Sequence, residues 1–142
     1  MGEITVVIPN YNGMKYLPEC LASLKEQKLS KTKLRVIVVD NGSTDGSVSF
    51  LKELNAEGFR LECIFLNENT GFDHAVNVGI KASESDYVIL LNNDTKADEN
   101  FVKALYDVIC RDDKIFSVSA KMLMWDQPEL VDDAGDRYCV MG

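Results

Sequence analysis

Short, unbroken runs of β-branched residues punctuate the chain. Each is followed by a stretch with helical periodicity, and this alternation narrows the available folds more than any other feature. Ile4 to Pro9 is almost wholly apolar and is stopped by proline, as expected for a strand buried on both faces. Met14 to Gln27 then places Leu17, Leu21 and Leu24 along one side of a helix. Leu34 to Val39, rich in Val and Ile, is a second buried strand, and Asp40 to Gly46 is a turn cluster. Within that cluster Thr44 or Asp45 can cap a helix from Ser47 to Glu57, which Gly58 ends. Leu61 to Leu66 is a third strand. The polar loop Asn67 to Gly71 leads into a helix from Phe72 to Ala82, with Phe72, Ala75, Val76, Gly79 and Ile80 facing inward. Tyr87 to Leu91 reads as a fourth strand, Asp98 to Arg111 as a fourth helix and Phe116 to Met124 as a fifth strand, while Trp125 to Gly142 has no clear periodicity. Without repeats or low-complexity linkers, the pattern predicts one α/β domain over residues 1–142. Its sheet is mostly parallel, with right-handed crossovers and helices on both faces.

In such sheets ligands bind outside the carboxyl ends of the strands. Here the residues just after the first strand are Pro9-Asn10-Tyr11-Asn12-Gly13, and Asp40-Asn41-Gly42-Ser43-Thr44-Asp45 follow the second. Asn67-Glu68-Asn69-Thr70-Gly71 follow the third and Asn92-Asn93-Asp94-Thr95 the fourth. Asn, Asp and Gly are ordinary turn residues, so each cluster alone is explained by turn chemistry. Four of them on one edge of one sheet build a concave, acceptor-rich site.

Asp94 follows a buried run, where a carboxylate costs desolvation unless it is paired or bound to a cation. No Lys or Arg adjoins it, so a divalent cation bridging Asp94 and a diphosphate would supply the missing charge. Mg²⁺ and Mn²⁺ suit such oxygen ligands. The alternative is an N-cap or surface turn. Asp40 either accepts the ring N–H of a base such as uracil or thymine, or orders its loop as an Asx-turn. Tyr11 either offers a flat face for that base or covers the edge of the core. Gly71 permits close approach of a ligand or serves a helix-initiating turn. Asn77 and Gly79 either face the ligand or support packing of helix on sheet. His74, the single histidine, reads as a solvent-facing helix residue.

Composition removes whole classes of partner. The chain has 142 residues, 46% hydrophobic and 27% charged, as in a globular domain. A formal charge of −8 argues against nucleic acid and anionic membrane surfaces, which require a cationic face. Backbone amides or a bound cation can still hold a diphosphate. Cys20, Cys63, Cys110 and Cys139 are widely spaced, with neither the pattern of a zinc site nor that of a disulfide framework. Free, mostly buried thiols in a reducing cytoplasm are expected, and the N-terminus shows neither a signal peptide nor a membrane span.

Four motifs occur in order and carry a resemblance: Val6-Val7-Ile8-Pro9-Asn10-Tyr11-Asn12, Val38-Val39-Asp40-Asn41-Gly42-Ser43-Thr44-Asp45, Asn69-Thr70-Gly71-Phe72 and Leu90-Leu91-Asn92-Asn93-Asp94-Thr95. Over roughly Ile4 to Lys121 the chain resembles the family 2 glycosyltransferases. The resemblance implies a GT-A fold whose first half holds a nucleoside-diphosphate-sugar donor, with UDP- or dTDP-sugars favoured. By position, Pro9, Tyr11 and Asp40 would contact the base and ribose, supported by Asn10, Asn12, Asn41, Gly71, Asn77, Asn92 and Asn93. Asp94 matches the metal-binding carboxylate of the family's Asp-x-Asp motif, with Mg²⁺ or Mn²⁺ as cofactor. Asn92 stands in place of the first Asp, and Val76 where many members carry an Arg. The Asn-Asn-Asp form, with Gly71-Phe72, is similar to the rhamnosyltransferase-like branch.

Inverting transfer needs a general base, and the family supplies it from a second half that also binds the acceptor. By pattern, only one helix and one strand follow Asp94, so the base is expected beyond Gly142. On this reading the sheet is truncated at its C-terminal side and no catalytic residue lies within the chain, which is inactive alone and prone to self-association. A saccharide or lipid-linked acceptor would bind at the missing half. In the full-length protein the domain is expected in the cytoplasm, at the inner face of the membrane. The alternative is an unusually short enzyme using one of Asp126, Glu129, Asp132, Asp133 or Asp136, with Asp133 the best placed. A dinucleotide dehydrogenase is excluded because no GxGxxG follows the first strand. A nucleotidyltransferase would carry a basic Gly-rich loop there, and a receiver domain an acidic pair. A non-catalytic sugar-nucleotide-binding or assembly module remains the competing reading.

Overall fold

The computed structural model describes residues 2–29, 32–54 and 60–134. Residues 1–100 form one compact unit and residues 101–142 a second. In the first, strands β1 (Glu3–Asn10), β2 (Lys33–Asn41), β3 (Arg60–Leu66) and β4 (Tyr87–Leu90) alternate with helices α1 (Leu17–Lys25), α2 (Ser47–Glu53) and α3 (Phe72–Ala82). The four strands make one parallel sheet in the order β3-β2-β1-β4. The chain steps outward from β1 to β3 and then crosses back to the far side of β1. With right-handed crossovers, that reversal puts α1 and α2 on one face and α3 on the other. It also creates a topological switch point between β1 and β4.

The core follows the two-residue period of the strands. Val7, Ile37 and Val39 point to one face and pack with Ala75 of α3, surrounded by Ile64, Leu66, Val78, Ala82 and Val88. Ile4, Val6, Ile8, Leu34, Val36 and Val38 alternate with them and are equally buried, as are Leu17, Cys20, Leu21 and Leu24 of α1. Gly79 decides how closely α3 sits on the sheet. A Cβ there would lie 2.3 Å from Val7 Cγ1, so the packing role is the one the structure assigns to this residue.

Several expectations are corrected. Phe72 and Ile80 are exposed on α3, because the buried stripe is carried by the small Ala75 and Gly79 together with Val76 and is narrower than the apolar pattern. Asn10, Asp40 and Asn41 belong to strands and are buried, where loop positions were expected. Helix α2 stops at Glu53, and Gly58 lies outside the described residues.

The second unit holds α4 (Phe101–Ile109), shorter than the expected Asp98 to Arg111. The expected strand Phe116 to Met124 shrinks to β5 (Met122–Leu123), paired antiparallel with β6 (Val131–Asp133). Phe116 is 97% exposed. Strand propensity depends on a partner and a surface to pack on. Conversely, three residues are too few for β6 to have shown a period. Free cysteines are Cys20 (buried), Cys63 (half-buried) and Cys110 (exposed), while Cys139 lies outside the described residues. No described helix is long and apolar enough to cross a membrane.

Candidate functional site

At the C-terminal edge of the sheet the polar strand ends satisfy one another. Asn10 Nδ2 donates to Asp40 Oδ2 at 2.8 Å and to Ser43 Oγ at 3.3 Å. The Ser43 amide donates to the other carboxylate oxygen at 2.9 Å. Asn93 Nδ2 donates to Asn10 Oδ1 at 2.7 Å, so one buried asparagine links the ends of β1 and β2 to the loop after β4. Burial of these groups is tolerated because each is paired. Asp40 therefore orders its loop, as in the Asx-turn reading, with both oxygens accepting protein donors.

Two further amides tie the remaining loops. Asn12, in a left-handed conformation (φ 50°), takes a hydrogen bond from the Thr44 amide at 2.8 Å and donates its own amide to Ser43 Oγ at 2.9 Å. Asn41 uses all four of its side-chain valences. Its Oδ1 accepts from the Thr70 amide and hydroxyl, and its Nδ2 donates to Asn69 Oδ1 and Gly71 O. Because the Thr70 hydroxyl is spent on Asn41, His74 Nδ1, 2.7 Å away, is the donor to Thr70, and His74 buttresses the loop from an exposed position. Gly42 (φ 77°) lets β2's end pass the Glu68 backbone, which a Cβ would approach to 2.8 Å. Asp45 receives the amides of Met14 and Ser47 and the Ser47 hydroxyl. Burial pushes its carboxyl up, but these donors outweigh it and hold it below the ordinary value.

Above this floor Pro9, Asn10, Tyr11, Asn41, Asn69 and Phe72 line an open cavity of about 180 Å³. Tyr11 and Phe72 are 49% and 59% exposed, so two aromatic rings stand over an amide floor. Tyr11 thus belongs to the cavity and not to the core. Gly71 (φ 91°) sits at the start of α3 with nothing near its Cβ position, so backbone conformation, not crowding, calls for glycine. Asn77 lies on the exposed side of α3 and does not line the cavity. Val76 is buried, so its position faces the core. Sequence reasoning assigned Phe72 to the core and did not single out Ser43 or Asn69. Only its place in the cavity at the strand ends distinguishes Phe72 from a core aromatic.

Residues 92–95 form a tight turn beside the end of β1. Thr95 Oγ1 donates to Asn92 O at 2.8 Å, and the Cys20 thiol approaches the same carbonyl at 3.7 Å. Burial pushes that thiol up to about 11, leaving it a neutral donor. Asn92 and Asp94 are both exposed. Water therefore already solvates the Asp94 carboxylate, and burial creates no demand for a cation there, contrary to expectation. Among the described residues no three His, Cys, Asp or Glu side chains gather to hold a metal. The donor set of Asp94 with neighbouring amide oxygens fits a hard cation that takes its remaining ligands from phosphate and water. It does not fit a protein-only metal site. In the second unit Asp133 closes β6 and is exposed, and Asp136 lies outside the described residues.

A family model described as Glycosyl transferase family 2 matches residues 5–126. Glycosyltransferase GlyG of Streptococcus pneumoniae serotype 4 is 30% identical over 106 residues, covering 75% of this chain and 35% of its own length. The poly(ribitol-phosphate) beta-N-acetylglucosaminyltransferase TarS of Staphylococcus aureus is 31% identical over 104 residues, covering 72% of this chain and 18% of its own length. The crystal structure of S. aureus TarS 1–349 with UDP-GlcNAc superposes with TM-score 0.68 at 30% identity, over 75% of this chain and 31% of that one. The mannosyltransferase PcManGT from Pyrobaculum calidifontis, solved with GDP-Man and Mn²⁺, superposes with TM-score 0.70 at 25% identity, over 75% and 32%. The chain thus spans about a third or less of these relatives.

Proposed function

Because the chain belongs to glycosyl transferase family 2 and has the GT-A fold of its solved relatives, we propose that residues 1–142 are the nucleotide-sugar-binding domain of an inverting glycosyltransferase. The observation that carries this is the cavity over the carboxyl ends of β1 and β2, with aromatic walls and an amide floor that is hydrogen-bonded through Asn10 to the turn bearing Asp94. Tyr11 stacks on the base. Asp40 accepts its ring N–H through a lone pair left on one of its oxygens. Since Asp40 is wholly buried, that contact needs a small opening on the Ser43 side of the loop.

The donor is a UDP- or dTDP-sugar. The UDP-GlcNAc bound by TarS supports the first, while the GDP-Man of PcManGT marks the purine donor as the competitor to test. Asp94, with Asn92 and Asn93 beside it, would hold Mg²⁺ or Mn²⁺ jointly with the diphosphate. When bound, the cation neutralises charge on the leaving group. In the reaction the acceptor hydroxyl forms a bond to the anomeric carbon from the face opposite the nucleotide, the bond to the diphosphate breaks, and a carboxylate takes the hydroxyl proton. That base, and the acceptor site, belong to sequence beyond Gly142, in keeping with the share of the relatives that this chain spans. The residues present therefore bind and orient the donor, and the chain alone gives no transfer.

The sugar is a hexose or rhamnose, and the acceptor a saccharide or lipid-linked glycan of cell-wall or polysaccharide synthesis. Relatives that polymerise teichoic acid and modify poly(ribitol-phosphate) support that setting. The domain works in the cytoplasm, at the inner face of the membrane in the full-length protein. Exposed Phe116, Trp125 and Leu130 favour self-association of the isolated chain. A non-catalytic sugar-nucleotide-binding module is the second reading, favoured by the single carboxylate at the acidic turn, and donor hydrolysis by the full-length protein separates it from the enzyme.

The deciding experiment is a thermal-shift panel of UDP-, dTDP- and GDP-sugars in Mn²⁺ or EDTA, on the wild type and Asp94→Ala. Pyrimidine donors should stabilise most, more so with Mn²⁺, and Asp94→Ala should lose the metal-dependent part. A wild type that responds to no nucleotide sinks the reading.

A further inference from the structure

The hydrogen bond from Asn93 Nδ2 to Asn10 Oδ1 joins the acidic turn to the cavity floor, and a third residue is shaped around it. A Cβ on Gly13 would lie 2.0 Å from Asn93 Nδ2 and 2.3 Å from Asn10 Oδ1. Real Cβ atoms essentially never come so close, so a side chain at 13 would push one or both amide groups aside, and glycine leaves the room that this bond occupies. The bond is also directional. Asn10 Nδ2 is committed to the Asp40 carboxylate, which leaves Oδ1 facing the turn and only a donor able to satisfy it. Asn10 is 1% exposed and cannot exchange its partner for water without cost.

Asp94 itself sits on an exposed turn. Its place is set through its neighbours: Asn93 is anchored to Asn10, and the Asn92 carbonyl takes the Thr95 hydroxyl and the Cys20 thiol. Removal of the Asn93 anchor leaves Asp94 chemically intact on a turn free to tilt.

We propose that Asn10, Asn93 and Gly13 act as positioning residues that hold the Asp94 turn at a fixed offset from the nucleotide cavity. They thereby set how much a divalent cation adds to nucleoside-diphosphate binding. The inference rests on the donor-site reading above and adds to it a specific device. Cation and diphosphate must meet within a few tenths of an ångström of ideal geometry for Mg²⁺-type coordination. A loosened turn therefore lowers the metal-dependent gain in affinity, whereas stacking on Tyr11 does not require the turn.

The test measures UDP dissociation constants by calorimetry in Mn²⁺ and in EDTA for the wild type, Gly13→Ala, Asn93→Ala and the double variant, with unliganded melting temperatures alongside. Gly13→Ala disrupts the bond while changing neither amide. The expected result is that each single variant lowers the EDTA-to-Mn²⁺ ratio of dissociation constants at least fivefold. The double variant should be little worse than Asn93→Ala, because both act on one bond. A purely structural role would lower melting temperature and leave the ratio alone, and a ratio kept within twofold by both singles overturns the proposal. A wild type that binds UDP equally with and without Mn²⁺ also overturns it while leaving the donor site standing. A wild type that binds no nucleoside diphosphate, UDP, dTDP or GDP, overturns both.

Discussion

Asn10 Nδ2 and Asp40 Oδ2 meet at 2.8 Å across thirty residues of sequence, joining the last residue of β1 to the penultimate residue of β2 with both side chains buried. The pair makes the polar edge of the sheet compatible with its apolar interior. Asp40→Asn turns one carboxylate oxygen into an N–H₂ group and sets donor against donor or donor against the Ser43 amide. A hydrogen bond to a charged group is worth about 1.5–3 kcal/mol. Denaturant melts should show a stability loss of that order, and titration with UDP a weaker affinity. A variant with wild-type stability would mean that the two side chains do not depend on each other.

Tyr11 is half exposed on the rim of the cavity, so little folding energy rests on it. Tyr11→Ala should therefore leave the unfolding midpoint nearly unchanged while weakening nucleotide binding. Base stacking is worth about 1–3 kcal/mol by alanine substitution. Tyr11→Phe should restore most of it. Should Tyr11→Ala bind UDP like the wild type, the base lies elsewhere.

Gly79 touches the sheet through its missing side chain. Gly79→Ala puts a methyl 2.3 Å from Val7 Cγ1 and 3.2 Å from Val39 Cγ2. Overpacking of this kind costs about 1–3 kcal/mol, against a helix-propensity gain of about 1 kcal/mol. A net loss in chemical denaturation is expected. Stabilisation would show that α3 can lift off the sheet without penalty.

Asp45 binds the amides of Met14 and Ser47, and its carboxyl is held below the ordinary 3.8. A depressed folded value means that the carboxylate's contribution is complete above 3.8 and is lost as pH falls through the lower folded value. Thermal melts of wild type and Asp45→Asn should differ most at neutral pH and converge in acid below that folded value. A gap that widened on acidification would reverse the assigned sign.

The sequence alone determined the α/β alternation, the parallel sheet and the location of the polar clusters, because two-sided burial writes a β-branched run into every central strand. Ile4 to Pro9 and Leu34 to Val39 were legible for that reason, as was the helix Phe72–Ala82, whose observed bounds match. The resemblance likewise singled out Tyr11 and Asp40 as candidates, since motifs are contiguous in sequence. Tertiary structure alone decided what those residues face. Asn10, Asp40 and Asn41 count as turn formers locally, yet they are buried because their partners come from strand ends twenty-eight to eighty-three residues away. Phe72 repeats the core pattern but stands exposed in the cavity at the carboxyl ends of β1 and β2. Asp94 follows an apolar run and still lies in water, because one turn of backbone is enough to carry a side chain out of the core. Periodicity reports which face of an element is apolar. The partner of each polar group depends on where distant strands end, and that is settled only when the sheet is assembled.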